Sequence, residues 1–446
     1  MDLLNGARRV PFDPWRTCLL AAAVLATLTA AAGAETELSR DAVAMDKVRA
    51  TMQTAVAEAP QMTVRLSQLG AEVASLRSET GAGAPILTWQ SEGVGGGFER
   101  NPNAADYLRL SLPFNRPWLL GTNRDLRQAA ERWLVTGQRA TALEVAGLTG
   151  QRWLDLAAAT ARARLAEVRL DRLDKALLIQ RKRFELGEIS GSERRQVELQ
   201  QARESAILQQ SQALMSAIQY ELELLAPGGF PSPVAEDLAG LVESTATPAD
   251  VPAEQLLLQA PFLQFAETGA EVARLEAKRQ RGAVWGQPEV EVEWERIPDL
   301  DVIEGFDSFG FRLAFPLPVG KKGRQQALAT EQSANAAAAE QALMQQRLKS
   351  RFQAAMATAR GAEAALAALE PSVAEVESTG RSLGEQFRLG AISYLIYLDG
   401  FSRLDEVVQR AIEARHQLLA ARLELTEIVG TDVYFPLPDL ESEGES

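Results

Sequence analysis

Few side chains in this sequence could act as catalysts or metal ligands. The only histidine is His416, and the only cysteine is Cys18, which precedes an apolar run near the N-terminus. Zinc sites are usually built from cysteine and histidine, so a zinc site here would have to rely on carboxylates. The sequence contains neither G-x-x-x-x-G-K-[S/T] nor G-x-G-x-x-G. We therefore expect no enzyme activity, no cofactor and no metal site, and a packing or surface role for His416.

Regularly spaced charges instead occur in segments that read as β-strands. In 289–295 four glutamates alternate strictly with Val290, Val292 and Trp294. The pattern predicts strands at about 85–95, 106–113, 287–296 and 308–316. Polar side chains would share one face: Glu289, Glu291, Glu293, Glu295, Arg109 and Arg312. Apolar side chains would share the other: Val290, Val292, Trp294, Phe309, Phe311, Leu313, Phe315, Leu108, Leu110 and Leu112.

Two structures fit such strands. Alternation with many aromatic residues is typical of transmembrane β-barrels, whose outer surface contacts lipid and whose interior is polar. An ordinary antiparallel sheet with one hydrated face gives the same alternation. The strands alone leave both interpretations open.

The elements that position these strands occur twice along the chain. Phe184, Leu186, Gly187, Ile189 and Ser190 recur 203 residues later as Phe387, Leu389, Gly390, Ile392 and Ser393. The same offset relates Arg109 to Arg312 and Glu221 to Glu424. Matches in register indicate two copies of one unit.

Each copy is predicted to be a strand pair followed by a helical hairpin. The first copy spans 35–227 with a hairpin at 121–226, and the second spans 256–432 with a hairpin at 323–429, interrupted chiefly by Pro371. A linker at 228–255 separates them, and 433–446 forms an acidic, disordered tail. Helices of this length need neighbours along their whole length, and heptad spacing in 207–225 predicts coiled-coil packing. Ser190 and Glu193 form a capping-box signature at the start of the second helix of the hairpin.

The N-terminus predicts export. Arginines precede the apolar run of 19–32, and Ala32-Gly33-Ala34 provides a cleavage site, so 1–34 is predicted to be a signal peptide. The formal charge of −14 argues against a nucleic-acid partner. If the four strands span a membrane, they cannot close a barrel alone, because known single-chain barrels start at about eight strands. Two copies would supply eight strands and three would supply twelve.

Taken together, the doubled strand pair, the doubled hairpin and the two F-x-L-G-x-x-S turns resemble the TolC family of outer-membrane efflux ducts. The resemblance covers about 38–434. The segment 315–324 is similar to the strand-to-helix entry of the heavy-metal branch of that family.

This resemblance implies a mainly α fold with a small β part. It also implies a homotrimer with a 12-stranded transmembrane β-barrel, embedded in outer-membrane lipid and continued by a long periplasmic α-helical barrel. The turns would be tips that dock on a periplasmic adaptor (membrane fusion) protein of an inner-membrane pump: Leu186, Gly187, Glu188, Ile189, Ser190, Leu389, Gly390, Ala391, Ile392 and Ser393. Substrate would pass through the duct without chemical change.

The resemblance also implies a periplasmic gate. The family carries two aspartates three residues apart beyond the second tip. Here the second position is Asp399 but the first is Ile396, so a trimer would have one ring of three carboxylates. The alternative role for Asp399 is stabilisation of a helix start.

A different class of protein remains open from the residues alone: a periplasmic coiled-coil scaffold or adaptor with soluble sheets. Two hairpins of equal length disfavour an adaptor, which usually has one.

Overall fold

The computed structural model describes residues 43–81, 84–91, 105–114, 116–245, 253–297, 305–315, 321–435 and 437. The predicted signal peptide lies outside these residues, as do 436 and 438–446 of the predicted acidic tail. So do residues 92–95 of the first predicted strand, residue 316 of the fourth and 316–320 of the strand-to-helix entry. Tyr434 and Phe435, near the start of that tail, are buried in apolar clusters, so the predicted disorder does not extend to them.

The described part of the chain is mainly helical, with one small antiparallel sheet, as the sequence predicts. Its helices are α1 (residues 43–58), α2 (Pro60–Glu79), α3 (Leu120–Glu185), α4 (Gly191–Leu225), α5 (Asp237–Ser244), α6 (Ala253–Leu258), α7 (Pro261–Ala283), α8 (Lys321–Arg388) and α9 (Tyr394–Val429). Its strands are β1 (Ile86–Ser91), β2 (Asp106–Pro113), β3 (Glu289–Ile297) and β4 (Phe306–Ala314). The order helix, two strands, long helix, shorter helix occurs once before α5 and once after it.

The four strands form one sheet in the order β1-β2-β3-β4, antiparallel throughout. The central pairing joins the two copies, since Arg109 of β2 lies opposite Glu293 of β3. Both edges, β1 and β4, have no further strand beside them among the described residues.

The long helices lie side by side in one array. Farther from the sheet the order is α4–α3–α9–α8, and near the sheet α2 and α7 take the places of α4 and α9. With 66 residues at about 1.5 Å per residue, α3 is roughly 100 Å long. α8 has 68 residues and continues through Pro371, although the sequence suggested an interruption there. Contacts with α7 and α9 along its length hold the helix across the missing backbone donor.

The largest apolar cluster lies where α1, α3, α5 and α9 meet, around the fully buried Trp153, Leu156 and Leu419. The indole Nε1 of Trp153 donates to the carbonyl of Pro231 at 3.0 Å, and this bond connects the segment between the copies to α3. Arg422 of α9 is 4% exposed and donates to Thr245 Oγ1 at 2.6 Å and to the carbonyl of Val242. These bonds satisfy the C-terminal end of α5 and fix it against the array.

Candidate functional site: the two-faced sheet and the helical tips

One face of the sheet is apolar, apart from a polar row at the end farthest from the helices: Ser91, Asp106, Arg296 and Asp307. The strand register places in one plane Leu87, Trp89, Leu108, Leu110, Leu112, Val290, Val292, Trp294, Phe309, Phe311 and Leu313. Phe309 and Phe311 are 78% and 72% exposed in the single chain. An apolar patch this continuous, left open on a soluble protein, marks a surface that contacts lipid or another protein.

The opposite face of the sheet is polar and internally paired. Arg109 donates to Glu293 at 3.1 Å, and Arg312 donates to Glu291 at 3.1 Å. The hydroxyl of Ser111 donates to Glu289 at 2.8 Å. Two of the four glutamates of β3 are thus paired with guanidinium groups, and the charges keep this face compatible with water.

The structure thus separates the two predicted sets of strand residues. The predicted lumen residues lie on the polar face, and the predicted lipid-facing residues lie on the apolar face. Phe315 lies one residue beyond β4 and is exposed. Their roles as lumen and lipid contacts stay predictions, because a single chain does not show which face meets which medium.

The two predicted docking turns have the same backbone geometry. Gly187 and Gly390 follow the ends of α3 and α8 with φ of 73° and 77°. At the first turn the N–H of Gly187 donates to the carbonyl of Phe184, and that of Glu188 to Arg183. The second turn repeats both bonds, from Gly390 to Phe387 and from Ala391 to Gln386. Both are Schellman ends, which require a left-handed residue and hence glycine.

Each turn is followed at once by a capped helix. Ser190 and Glu193 form the predicted capping box, with bonds from Glu193 N to Ser190 Oγ and from Ser190 N to Glu193 Oε2. At the second turn Ser393 Oγ accepts from the N–H of Ile396. Helices that end and restart within a few residues give short, rigid turns.

Both turns lie at the same end of the array and contact each other. Arg183 Nη2 donates to the carbonyl of Phe387 at 3.0 Å. Behind the second turn the rings of Phe387, Tyr394, Tyr397 and Phe401 form one cluster. Tyr397 stacks on Phe387 at 4.4 Å and meets Phe401 edge-on at 4.8 Å, centroid to centroid. Burial raises the pKa of Tyr394 and of Tyr397, so both phenols remain neutral at physiological pH.

Each turn exposes an apolar side chain. Leu186 is 74% exposed and Leu389 is 72% exposed. An exposed leucine at each tip, above a rigid aromatic base, suits a contact with another protein. This docking role stays a prediction.

The predicted gate residue has a modest environment. Asp399 is mostly exposed and forms an ion pair with Arg403, one turn along α9, at 3.0 Å. The structure leaves its predicted role open.

A more buried acidic residue, which the sequence pattern did not predict as a contact, lies six residues further along α9. Asp405 is 13% exposed and its carboxylate accepts from Arg172 of α3 at 2.6 Å. It also forms an ion pair with Arg169 of α3 at 3.2 Å, and Arg169 Nη2 donates to the backbone carbonyl of Asp405 at 3.3 Å. These groups line a cavity of about 380 Å³ between α3, α4 and α9. Asp405 lies between Phe401 and Val408 on the apolar stripe of α9. A charged residue within an apolar stripe is the sequence feature that could have indicated a buried ion pair here.

Two other acidic groups join the helices nearer the middle of the array. Nε2 of His416 lies 2.9 Å from Oδ1 of Asp155 on α3. Burial opposes ionisation of Asp155, but its hydrogen bonds, chiefly with His416, hold its pKa below the usual value. Glu427 packs over Gly147 of α3, and burial raises its pKa despite the nearby Arg351 of α8.

Among the described residues, no set of three or more histidine, cysteine, aspartate or glutamate side chains is arranged to hold a metal ion. In the same part of the chain, no helix is long and apolar enough to cross a membrane.

Known proteins resemble this chain in structure rather than in sequence. No protein-family profile and no curated protein matches the sequence. Among solved structures, CusC matches with a TM-score of 0.66 and 15% identity, over 86% of this chain and 92% of that one. The chain has the fold of an outer-membrane channel. The resemblance to the TolC family is therefore confirmed at the level of the fold.

Two further channels show the same TolC-type fold. The Campylobacter jejuni outer-membrane channel CmeC matches with a TM-score of 0.66 and 13% identity, over 88% of this chain and 87% of that one. The Vibrio cholerae outer-membrane protein VceC matches with a TM-score of 0.64 and 15% identity, over 87% of this chain and 97% of that one. Agreement along nearly whole chains shows that the array and the sheet share one architecture with these channels.

Proposed function

We propose that this chain is a subunit of an outer-membrane exit duct in a tripartite efflux or secretion system. The observation that carries the proposal is the sheet, which has one exposed face that is largely apolar and one charged face, on a TolC-type fold. In a membrane the apolar face would contact lipid and the charged face would line a water-filled passage. Substrate would pass unchanged from a pump to the outside.

The open edges of the molecule support assembly into a ring. The sheet ends at β1 on one side and β4 on the other, and the array ends at α4 and α8. Because the two edges differ, contacts between copies would be head to tail, and such contacts form a ring when the rotation from copy to copy closes. A spanning sheet must close in lipid, since an open edge leaves backbone groups without partners.

The outer helices carry matching surfaces for this contact. On α4 exposed residues with heptad-like spacing form a stripe: Leu199, Ala202, Ala206, Ala213, Ala217, Tyr220 and Leu224. On α8 small exposed residues follow the same spacing: Ala354, Ala357, Gly361, Ala364 and Ala368. Heptad stripes with small residues allow two helices to pack closely. We take three copies as the assembly, giving twelve strands and a helical barrel below them, as the TolC resemblance implies.

The tips would dock on a periplasmic adaptor protein that connects the duct to an inner-membrane pump. The support is their rigid geometry, their common position and their exposed leucines. Closer to the tunnel axis, Asp399 would form a ring of three carboxylates in the trimer. Its exposure supports a role in contact with permeating ions rather than in holding the helices together.

The first experiment is a planar-bilayer recording on detergent-purified protein, with its mass measured by light scattering. A trimer with small, mostly closed currents is the expected result. A monomer that stays soluble without detergent and never inserts would contradict the duct and favour the periplasmic scaffold.

The gate is tested in the same assay with Asp399→Ala. Removing the carboxylate ring should raise the open probability or the conductance and reduce any preference for cations. Asp171→Ala is the matched control, because Asp171 is an exposed aspartate of α3 paired with Lys175 one turn away. Equal effects of the two variants would rule out a specific gate role for Asp399.

A further inference from the structure

Below the sheet, the ends of several elements meet at one level of the molecule. Pro113 of β2 lies opposite Glu289 of β3, and the N–H of Phe114 donates to the carbonyl of Pro288 at 3.0 Å. Just beneath, the indole N–H of Trp118 donates to the carbonyl of Gly282 at 3.1 Å. The start of α3, the end of α7 and the start of α8 are therefore in contact under the lower rim of the sheet.

Aromatic side chains are exposed around this rim. They are Phe114, Trp118, Trp285 and Phe315, each about half exposed or more. Phe114 and Phe315 continue the alternation of the apolar face beyond β2 and β4. Trp rings in this position are typical of the boundary between hydrocarbon and lipid headgroups.

Basic side chains follow within about two helical turns, or roughly 10 Å, of that rim. Exposed ones are Arg124 and Arg127 of α3, Lys278 and Arg281 of α7, and Lys321 and Arg324 of α8. Within the described part of the chain, Arg124, Lys278 and Arg324 form no ion pair or hydrogen bond. We name these six residues the basic belt.

Acidic residues in the same zone are few. Asp125 is exposed, Glu331 is 4.0 Å from Arg281, and Glu276 is half-buried against Glu79 and Arg279. A chain with a formal charge of −14 thus concentrates positive charge where its apolar sheet ends. Arg124 and Arg127 also line a cavity of about 280 Å³ with Thr80 and Asn123.

We propose that the basic belt binds the phosphate groups of anionic phospholipids in the leaflet that faces the periplasm. This inference rests on the proposed function, because it requires the apolar face to lie in a bilayer. Aromatic rings would then lie at the headgroup boundary and the cations just outside it, where an anionic surface attracts lysine and arginine. The belt would fix the depth of the channel and give it a preference for anionic lipid.

Purified full-length protein in an uncharged detergent tests this by lipid titration. Thermal unfolding is followed while phosphatidylglycerol or phosphatidylcholine is added. Wild type should be stabilised by phosphatidylglycerol at a half-effect concentration about tenfold or more below that of phosphatidylcholine. Sodium chloride at high concentration should remove most of this difference, because exposed charges are screened.

The variant is Arg124→Gln with Lys278→Gln and Arg324→Gln. Its two half-effect concentrations should agree within about twofold. The control is Arg181→Gln with Lys182→Gln and Arg195→Gln, three exposed cations near the tips, which should keep the wild-type preference. If the belt variant fails to fold, the salt dependence of wild type decides alone.

Three results would overturn the belt. They are equal stabilisation of wild type by both lipids, a preference insensitive to salt, and stabilisation by inorganic phosphate alone to the same extent, which would show a simple anion site. Any of them with channels still forming in bilayers leaves the duct intact. Failure to insert into bilayers of either lipid would instead refute the duct and the belt together.

Discussion

Replacing Asp405 with asparagine should loosen the tip end of the array without unfolding the protein. At an effective dielectric constant of about 20, each arginine contact near 3 Å supplies roughly 5 kcal/mol of attraction, most of which desolvation offsets. Breaking a fully buried pair costs about 3–5 kcal/mol. Asp405, Arg169 and Arg172 are 13–20% exposed and border a cavity that admits water, so we expect about 2 kcal/mol for Asp405→Asn.

Amide hydrogen exchange measures this loss of stability locally. A cost of about 2 kcal/mol corresponds to roughly 30-fold faster exchange for protected amides around Asp405 on α9 and around Arg172 on α3. Near the sheet, exchange should not change.

Asp399→Asn is the control for this measurement, because it removes an exposed ion pair of the same helix worth at most about 0.5 kcal/mol. That variant should speed exchange by about twofold or less. If Asp405→Asn has no larger effect than the control, the claim that Asp405 joins α3 to α9 is wrong.

Two further predictions concern the first turn and the middle of the array. Gly187→Ala should destabilise the turn by about 1 kcal/mol, because the φ of Gly187 is 73°. Gly384→Ala should stabilise α8, because Gly384 lies inside that helix with open space around it. Hydrogen exchange of the flanking amides should be faster in the first variant and slower in the second. Burial raises the pKa of Glu427 in the folded state above the unfolded value near 4.5. Its contribution to stability therefore falls as pH rises from the unfolded value through the folded-state pKa. The melting temperature of Glu427→Gln should match that of wild type below this pH interval and exceed it above.

Local sequence patterns predicted much of the fold. The glycines at 187 and 390, each followed by an N-capping serine, predicted where the helices turn, and the structure has Schellman ends and caps there. Strict alternation in 289–295 predicted a two-faced strand, and in the register its Val290, Val292 and Trp294 lie opposite leucines and phenylalanines on both sides. These features depend on nearby residues, which is why a single sequence shows them.

Contacts between distant residues were not predictable in the same way. Asp405 meets arginines more than 230 positions earlier in the chain, and His416 meets Asp155 261 positions earlier. Nothing local in α9 identifies the helix on its other side, so the order α4–α3–α9–α8 had to come from the structure. The continuation of α8 through Pro371 is a further case, since contacts with neighbouring helices outweighed a local signal.

The central strand pair has a consequence for the order of folding. β2 and β3 are separated by the whole of α3, α4 and α7, and Arg109 meets Glu293 across 184 positions. Hairpins such as α3–α4 join neighbouring segments and form early, whereas pairing over such a distance is slow. We expect the sheet to be the last part of the chain to form, so its apolar face would become continuous only after the helices stand in place. Late completion would limit the time in which that face could aggregate before it reaches a membrane.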